Sequence, residues 1–364
     1  MTRAVTAAGG VVELAVNTPH RFYRGGERIL DFRRLPVPAG FDGRRPEDWV
    51  ASTTRLFAEG GDGLSVLPDG RLLESALAEE PHQWFGPAHL ARHGAEPGLL
   101  VKLLDAGERL PVHSHPDRQF ASSHLGCAHG KTEAWLVVAA EPGAKVWLGF
   151  REDMGTDHLA ALVDAQDERL LASLNEFEVE RGDAILVPGG QPHAIGAGVL
   201  VVELQEPTDF SVMLEHERFD LDADHAWLGL ERGLALQSVA TAALTGARLT
   251  ELRTRWDGAT GLRSALPSAA GDFFAAEVVD ARGGPVQLDA RFSVLVVVDG
   301  AGILTSERDG AREIAAGQVL LGAYSSGALE VEGAVTILRC SPSRDPDRAA
   351  ALPPMSPVQK ETPR

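Results

Sequence analysis

Short apolar runs bounded by Gly or Pro dominate the middle of the chain. Six of them follow one another between residues 99 and 205: LLVKLL, RLPVHSH, EAWLVVA, KVWLGF, DAILVP and VLVVEL. A second series, between about residues 273 and 339, includes FFAAEVV, FSVLVVVDG and AVTILRC. Runs of this length and punctuation are typical of β-strands. The pattern therefore predicts a mainly β protein with two strand-rich lobes.

Two segments interrupt this pattern with helical spacing. Residues 72–93 lack a β-branched run, and residues 156–174 are amphipathic, so both predict helices, the second as a small insertion between strands. Residues 341–364 are rich in proline and charge, which predicts a disordered tail. The boundaries that follow are 1–260 for the first lobe and 261–340 for the second.

The two lobes resemble degenerate copies of one unit. The segment AAGQVLLGAYSSGALEVEGAVTILR parallels ERGDAILVPGGQPHAIGAGVLVVEL in length and in the order of its glycines, apolar runs and turns. The later copy contains no histidine. We therefore expect any metal site in the first lobe and none in the second.

Charge and cysteine content narrow the classes of partner and compartment. The chain has 34 Lys and Arg against 52 Asp and Glu, a formal charge of −18, and such a field repels nucleic acid and anionic lipid. Two cysteines are too few for a disulfide scaffold, and no long apolar run is present. We expect a cytoplasmic protein with a small-molecule partner, without nucleic acid or membrane partners. Its oligomeric state stays open.

Candidate metal ligands occur close to predicted strands. His113 and His115 stand two apart, so a strand places both imidazoles on one face. Glu133 begins a later strand, and His193 begins the strand that returns after a Pro- and Gly-rich turn. Three imidazoles and a carboxylate suit Zn, Mn, Fe or Ni. The sequence thus predicts one divalent metal per chain.

The spacing within GERLPVHSHP and GDAILVPGGQPHAIG resembles the two motifs of the cupins. In addition, the segments HPDRQFA, GKTEAW, KVWLGF, GGQPHAIG and VVELQEPTD resemble, in this order, the class I mannose-6-phosphate isomerases. That family consists of zinc enzymes with two cupin lobes, which are jelly-roll-like β-barrels, and a helical insertion. The resemblance implies this fold and the interconversion of mannose 6-phosphate and fructose 6-phosphate through a cis-enediol, a step of carbohydrate metabolism.

The resemblance also implies a ligand set. The zinc ligands of the family fall on His113, His115, Glu133 and His193, although position 113 is His where the isomerases have Gln. A third imidazole preserves the number of ligands and changes their basicity. Zinc is therefore the implied metal, with Mn, Fe and Ni as alternatives.

The positions of other residues in the sequence imply catalytic and substrate-binding roles for them. Lys131 lies two residues before Glu133, faces the same cavity by strand alternation and matches the family's lysine, so it is a catalytic candidate with Glu203 and Asp209, which match acidic positions. The expected substrate-binding residues are Lys102, Trp49 and Gln205. Lys102 matches a lysine that the family uses near the substrate phosphate.

Two further positions depart from the family. Pro111 replaces a serine and Met213 replaces an arginine, and both of those groups are associated with the phosphate or the active site in the family. Recognition of a phosphate then needs another cation, and Arg109, Arg118 and Arg151 flank the motifs.

Three alternative functions remain open from the sequence. They are an isomerase of a non-phosphorylated sugar, a cupin dioxygenase, and a sugar-binding cupin without turnover. Three His and one Glu resemble the ligand set of an oxygenase. The two lysines expected in the cavity, Lys102 and Lys131, favour the isomerase because oxygen chemistry does not require them.

Overall fold

The computed structural model describes residues 10–57, 63–219, 221 and 223–343. In chain order the strands are β1 (Val11–Glu13), β2 (Glu47–Val50), β3 (Leu100–Ala106), β4 (His113–Ser114), β5 (Glu133–Ala140), β6 (Lys145–Phe150), β7 (Leu174–Glu178), β8 (Asp183–Val187), β9 (His193–Ile195), β10 (Val199–Gln205), β11 (Val212–Met213), β12 (Arg253–Arg255), β13 (Gly261–Ser264), β14 (Phe274–Asp280), β15 (Val286–Leu288), β16 (Ser293–Ser306), β17 (Gly310–Ala315), β18 (Val319–Gly322) and β19 (Leu329–Pro342).

The helices are short and lie between the strands. They are α1 (Glu27–Phe32), α2 (Leu73–Glu79), α3 (Pro81–His93), α4 (Arg118–Phe120), α5 (Thr156–Asp164), α6 (Arg169–Ala172), α7 (Ala223–Ala226), α8 (Arg232–Leu236) and α9 (Gly246–Glu251). Among the described residues, none of the helices combines the length and apolar content needed to cross a membrane.

The first lobe consists of two sheets whose strand pairs are antiparallel. One sheet has six strands in the order β12-β8-β5-β10-β3-β2, and the other has five in the order β11-β4-β9-β6-β7. Every residue of β3 and β10 is buried. Their near-continuous apolar sequences reflect this two-sided burial. The ionisable residues that interrupt them, Lys102, Asp105 and Glu203, therefore need partners inside the lobe.

The second lobe is an eight-stranded antiparallel sheet. Its central strands are β16 and β19, and β18, β14, β15 and β17 extend it. Strand β1 pairs with β18, so residues 11–13 belong to the sheet of the second lobe although they lie near the N-terminus. Strand β19 continues to Pro342, and the rest of the predicted tail, residues 344–364, lies outside the described residues.

Both helical segments expected from the sequence are present. Helices α2 and α3 occupy the first, and α3 is kinked at Gly86, which has a φ of 73°. Helices α5 and α6 occupy the second, and Leu174 already begins β7. The prediction of a mainly β fold with a small helical insertion is confirmed.

Candidate metal centre and its cleft

Three histidines converge where the five-stranded sheet meets the loop after β4. His113 on β4 lies opposite His193 on β9, and their ring centroids are 4.1 Å apart. His115 follows β4, with its ring centroid 4.9 Å from that of His113 and 4.8 Å from that of His193. One ring nitrogen from each of the three lies within 4.8 Å of the others, and all three residues are buried.

Backbone carbonyls fix the orientation of these rings. Nδ1 of His113 lies 2.9 Å from the Pro111 carbonyl, and Nδ1 of His193 lies 2.8 Å from the Gln191 carbonyl. His115 makes the same contact with the Phe210 carbonyl at 2.7 Å. Because a carbonyl only accepts, each Nδ1 carries the hydrogen, and each Nε2 keeps its lone pair. Metal-bound histidines are held in this way.

The charge state of the cluster also suits a cation. Burial and the neighbouring histidines hold the pKa of His113 well below its usual range, and burial and Lys131 lower the pKa of His115 to about 3. Both rings are neutral at pH 7. The Nε2 atom of His193 is buried and has no hydrogen-bond partner among the described residues. Such an atom needs a partner, and a divalent ion provides one.

Glu133, the first residue of β5, adjoins this cluster. Its Oε2 lies 3.0 Å from His115 Nε2, and its Oε1 lies 3.3 Å from His193 Nε2. Trp135 donates its indole N–H to Oε1 at 2.9 Å. Although burial alone would raise it, the pKa of Glu133 is held well below its usual range by Lys131 and His115. The side chains present thus fit a divalent metal through three imidazole nitrogens and a carboxylate oxygen.

Lys131 reaches the same point from the segment before β5. Its Nζ lies 2.8 Å from His115 Nε2 and 3.2 Å from Glu133 Oε2, and the residue is buried. The alternation expected from the sequence, with Lys131 and Glu133 facing one cavity, is present.

A cleft of about 450 Å³ opens beside the cluster. The polar residues that line it are Arg21, Tyr23, Glu47, Lys102, His113, Lys131, Glu133, Glu203, Asp209 and Ser211. Pro111 and Met213 also line it, so both departures from the isomerase pattern face the cleft.

Lys102 lies within this wall between two carboxylates. On β3, opposite Glu203 of β10, its Nζ is 3.1 Å from Glu47 Oε2 and 3.8 Å from Glu203 Oε2. The Trp49 ring packs beneath it, 4.5 Å from Nζ to the ring centroid. Trp49 is fully buried and donates to Glu47 Oε2 at 2.6 Å, so it supports Lys102 and Glu47 from behind the cleft. A direct contact between Trp49 and substrate stays a prediction.

Glu203 and Gln205 differ in their surroundings. Burial and the nearby charge of Glu133 raise the pKa of Glu203 to about 8, so this carboxyl holds a proton at neutral pH. Gln205 lies opposite Glu133 in the sheet and donates to the Thr208 carbonyl at 2.5 Å. Glu203 therefore lines the cleft, whereas Gln205 holds the turn behind it, and its contact with substrate stays a prediction.

Asp209 enters the cleft from the loop after β10. Its Oδ2 accepts the Phe57 backbone N–H at 3.2 Å and lies 3.5 Å from Arg21 Nη1. Arg21 also places Nε 3.1 Å from Glu47 Oε1, and its side chain is 14% exposed. The sequence singled out neither Arg21 nor Glu47. Arg21 lies in the arginine-rich segment RFYRGGERILDFRR, where nothing distinguishes one arginine from its neighbours.

The three arginines that flank the motifs point elsewhere. Arg109 forms an ion pair with Glu215 at 2.6 Å, and Arg118 forms one with Glu206 at 2.5 Å. Arg151 donates to the Ala172 carbonyl. Arg21 is the cleft-lining arginine among the described residues. The arginine that lines the cleft therefore comes from the N-terminal segment and not from the flanks of the motifs.

Comparison with known proteins supports the resemblance seen in the sequence. No family model matches the chain. A curated mannose-6-phosphate isomerase of Streptococcus mutans is 33% identical over 193 residues, which are 52% of this chain and 56% of that protein. The alignment thus spans little more than half the length of this relative.

Solved structures share the fold. A mannose 6-phosphate isomerase from Bacillus subtilis superimposes with a TM-score of 0.69 and 22% identity, covering 91% of this chain and 99% of that one. A mannose 6-phosphate isomerase bound with zinc and yttrium gives a TM-score of 0.67 and 14% identity over 92% of this chain and all of that one. The predicted resemblance to this family and the two-lobed cupin fold are confirmed.

Proposed function

We propose that this chain is a metal-dependent aldose–ketose isomerase that interconverts mannose 6-phosphate and fructose 6-phosphate. One observation carries the proposal: three buried imidazoles bring one ring nitrogen each to within 4.8 Å of one another, beside the amino group of Lys131 and at the wall of a cleft. The name of the curated relative supports the choice of reaction.

We assign His113, His115, Glu133 and His193 as the ligands of one divalent ion per chain. Zinc is the metal of choice because it is present in a solved isomerase of the same fold and suits nitrogen and oxygen donors, as Mn, Fe and Ni also do. A divalent ion held there supplies Lewis-acid stabilisation of the negative charge that develops on the sugar oxygens.

We assign the proton transfers of the reaction to other polar groups of the cleft. Lys131 is the amine closest to the cluster, and we assign it the proton that leaves C2 of the aldose and returns at C1. Glu203 is protonated at neutral pH and can give a proton to a sugar oxygen and take it back. Asp209 also lines the cleft, and we assign it as a further carboxylate that contacts the hydroxyl groups of the sugar.

Positive charge for the phosphate comes from Arg21 and Lys102. Both line the cleft in a chain of formal charge −18, so they are local exceptions to its overall field. The planar fork of Arg21 suits a phosphate better than an ammonium does. In this scheme Trp49 and Gln205 act through the residues that they hold, Lys102 and the turn at Thr208.

A non-phosphorylated sugar is the second candidate substrate. The observation in its favour is that Pro111 and Met213, which carry no charge or hydroxyl group, both face the cleft. A dioxygenase is less compatible with the site because Lys131 Nζ stands 2.8 Å from His115 Nε2, and oxygen chemistry does not require a lysine there.

A coupled assay with mannose 6-phosphate and with mannose, combined with elemental analysis, tests the proposal. The metal-loaded protein should convert mannose 6-phosphate, and its kcat/KM should exceed that for mannose by about tenfold or more, because charge-assisted hydrogen bonds to phosphate contribute roughly 1.5–3 kcal/mol each. A smaller preference would support the free sugar instead. Iron together with oxygen uptake and no isomerisation would support a dioxygenase.

A further inference from the structure

The two lobes share a strand register in which one pair of an acidic and a basic residue is exchanged between the strands. In the first lobe, Glu203 on β10 lies opposite Lys102 on β3. In the second, Arg339 on β19 lies opposite Glu277 on β14, and Arg339 Nη1 is 3.6 Å from Glu277 Oε2. Strands β10 and β19 therefore each carry a buried ionisable residue that lies opposite an ionisable residue of the neighbouring strand.

The two lobes also match on the other side of β10 and β19. Glu203 lies opposite Trp135 on β5, and Lys131 precedes Trp135 by four positions. Arg339 lies opposite Leu295 on β16, and Arg291 precedes Leu295 by four positions. Arg291 thus occupies in the second lobe the place that Lys131 occupies in the first.

A second cavity, of about 760 Å³, lies at this end of the second lobe. Helix α3 covers it, and the lining residues are Phe85, Ala88, His89, Arg92, His93, Asp289, Ala290, Arg291, Phe292, Tyr324, Ser341, Pro342 and Ser343. By register, this cavity is the counterpart of the candidate active-site cleft, and it is the larger of the two.

The lining combines aromatic rings with charged groups. Phe85 stacks on His89 at 4.3 Å between centroids, and Phe292 lies 4.9 Å from Phe85. Tyr324 is 38% exposed, and its ring packs so closely on Gly86 that a Cβ there would come within 2.4 Å of it. Phe85 and Phe292 are buried, so Tyr324 offers the exposed aromatic ring, and such a ring can pack against the apolar face of a small ring-shaped ligand.

The charges of the cavity leave one arginine in excess. Asp289 forms ion pairs with Arg291 and Arg339, and both arginines approach Glu277. Two arginines and two carboxylates thus balance each other.

Arg92, on α3, donates to the Ser343 carbonyl at 3.2 Å and has no carboxylate partner among the described residues. Burial lowers the pKa of His89 to about 4, so the excess positive charge at pH 7 belongs to Arg92.

We propose that this cavity is a second small-molecule site, which binds an anionic sugar with its ring against Tyr324 and its phosphate or carboxylate on Arg92. The site is separate from the cleft that holds the candidate metal ligands. Its ligand makes no use of Lys131 or of the histidine cluster, so the proposal does not depend on the isomerase assignment.

Hydrogen–deuterium exchange of the full, metal-loaded chain locates the binding. Glucose 6-phosphate and glucuronate are the two anionic sugars, and inorganic phosphate is the control without a ring. At least one of the two sugars should slow exchange in residues 81–93, and which one does so distinguishes phosphate from carboxylate. Phosphate alone should have little effect. Protection confined to the cleft segments around 100–106, or none, would overturn the proposal.

Titration calorimetry with the protecting sugar then tests Arg92. Arg92→Gln should raise the dissociation constant of the sugar at this site about tenfold or more, because the substitution removes charge-assisted hydrogen bonds to the anion. The turnover of mannose 6-phosphate should stay unchanged. Arg169→Gln is the matched control, since the Arg169 side chain is 75% exposed and pairs with Asp167. Equal affinity in Arg92→Gln and Arg169→Gln would overturn the assignment.

Discussion

Arg21 Nη1 lies 3.5 Å from Asp209 Oδ2, so a guanidinium from the N-terminal segment reaches a carboxylate in the loop after β10. The contact brings an arginine to a cleft in which position 213 is occupied by Met. An arginine at this point can bind the phosphate of a substrate, and the neighbouring carboxylates Glu47 and Asp209 hold it in place.

Arg21 should therefore determine the preference for phosphorylated substrate. Arg21→Gln should raise KM for mannose 6-phosphate about tenfold or more and change kcat/KM for mannose much less, because only the phosphate uses the guanidinium. Arg151→Gln is the control, since Arg151 flanks the motifs and donates to a backbone carbonyl outside the cleft. Equal effects of Arg21→Gln on both substrates would assign Arg21 a structural role.

Met213→Arg tests the same cleft from its other side. Met213 lies opposite His113 in the pairing of β11 with β4 and lines the cleft. An arginine there adds a second cation, so the ratio of kcat/KM for mannose 6-phosphate to that for mannose should rise about tenfold. Steady-state kinetics on both substrates provide the ratio. An unchanged ratio would mean that position 213 does not reach the phosphate.

Substitutions of the two cleft lysines, Lys131 and Lys102, should have different effects on kcat and KM. Lys131→Ala should lower kcat about 100-fold or more if Lys131 moves the proton, whereas Lys102→Ala should mainly raise KM. Lys102→Ala should also cost about 1–3 kcal/mol of stability, because the buried Glu47 loses one of its two cations and keeps Arg21. Lys145→Ala, in which an exposed lysine is removed, is the control. An unaltered kcat in Lys131→Ala would remove Lys131 from the mechanism.

Glu203 should make the stability of the metal-free protein depend on pH. The fold raises the pKa of this carboxyl to about 8, so the folded state keeps its proton while the unfolded state releases it above about pH 4.3. The contribution of Glu203 is present in full below that value and is lost as the pH rises to 8.

Glu203→Gln removes this loss. The free energy of unfolding of the variant minus that of the wild type should therefore grow by about 2 kcal/mol or more between pH 5 and pH 8. Urea denaturation at both pH values measures the difference, and charges shared by the two proteins cancel. A difference that is constant with pH would show that Glu203 is ionised in the fold at pH 7.

The sequence was sufficient for features that depend on local spacing. The runs around β3, β5, β8 and β10 alternate or stay apolar as buried strands do, and the two helical segments follow their own period. His113 and His115 could be paired because strand alternation places them on one face. The convergence of His193 and Glu133 on them followed from the family's motif spacing.

Contacts between residues far apart in the chain could not be predicted from the sequence. Strand β1 pairs with β18, which lies about 300 residues later, and no local pattern encodes that choice. Arg21 becomes a cleft residue only because the N-terminal segment crosses the first lobe beside Glu47. The exchange of the acidic and the basic position between the pair Lys102 and Glu203 and the pair Glu277 and Arg339 is visible only once the registers are known.

Metal content measured together with turnover tests the central claim most directly. The protein is stripped with a chelator, titrated with zinc and assayed with mannose 6-phosphate, beside His193→Ala as the variant that lacks one ligand. We predict that formation of fructose 6-phosphate rises with zinc up to one equivalent per chain, and that His193→Ala loses both metal and activity. Full activity in the stripped protein, or undiminished metal in His193→Ala, would contradict the account.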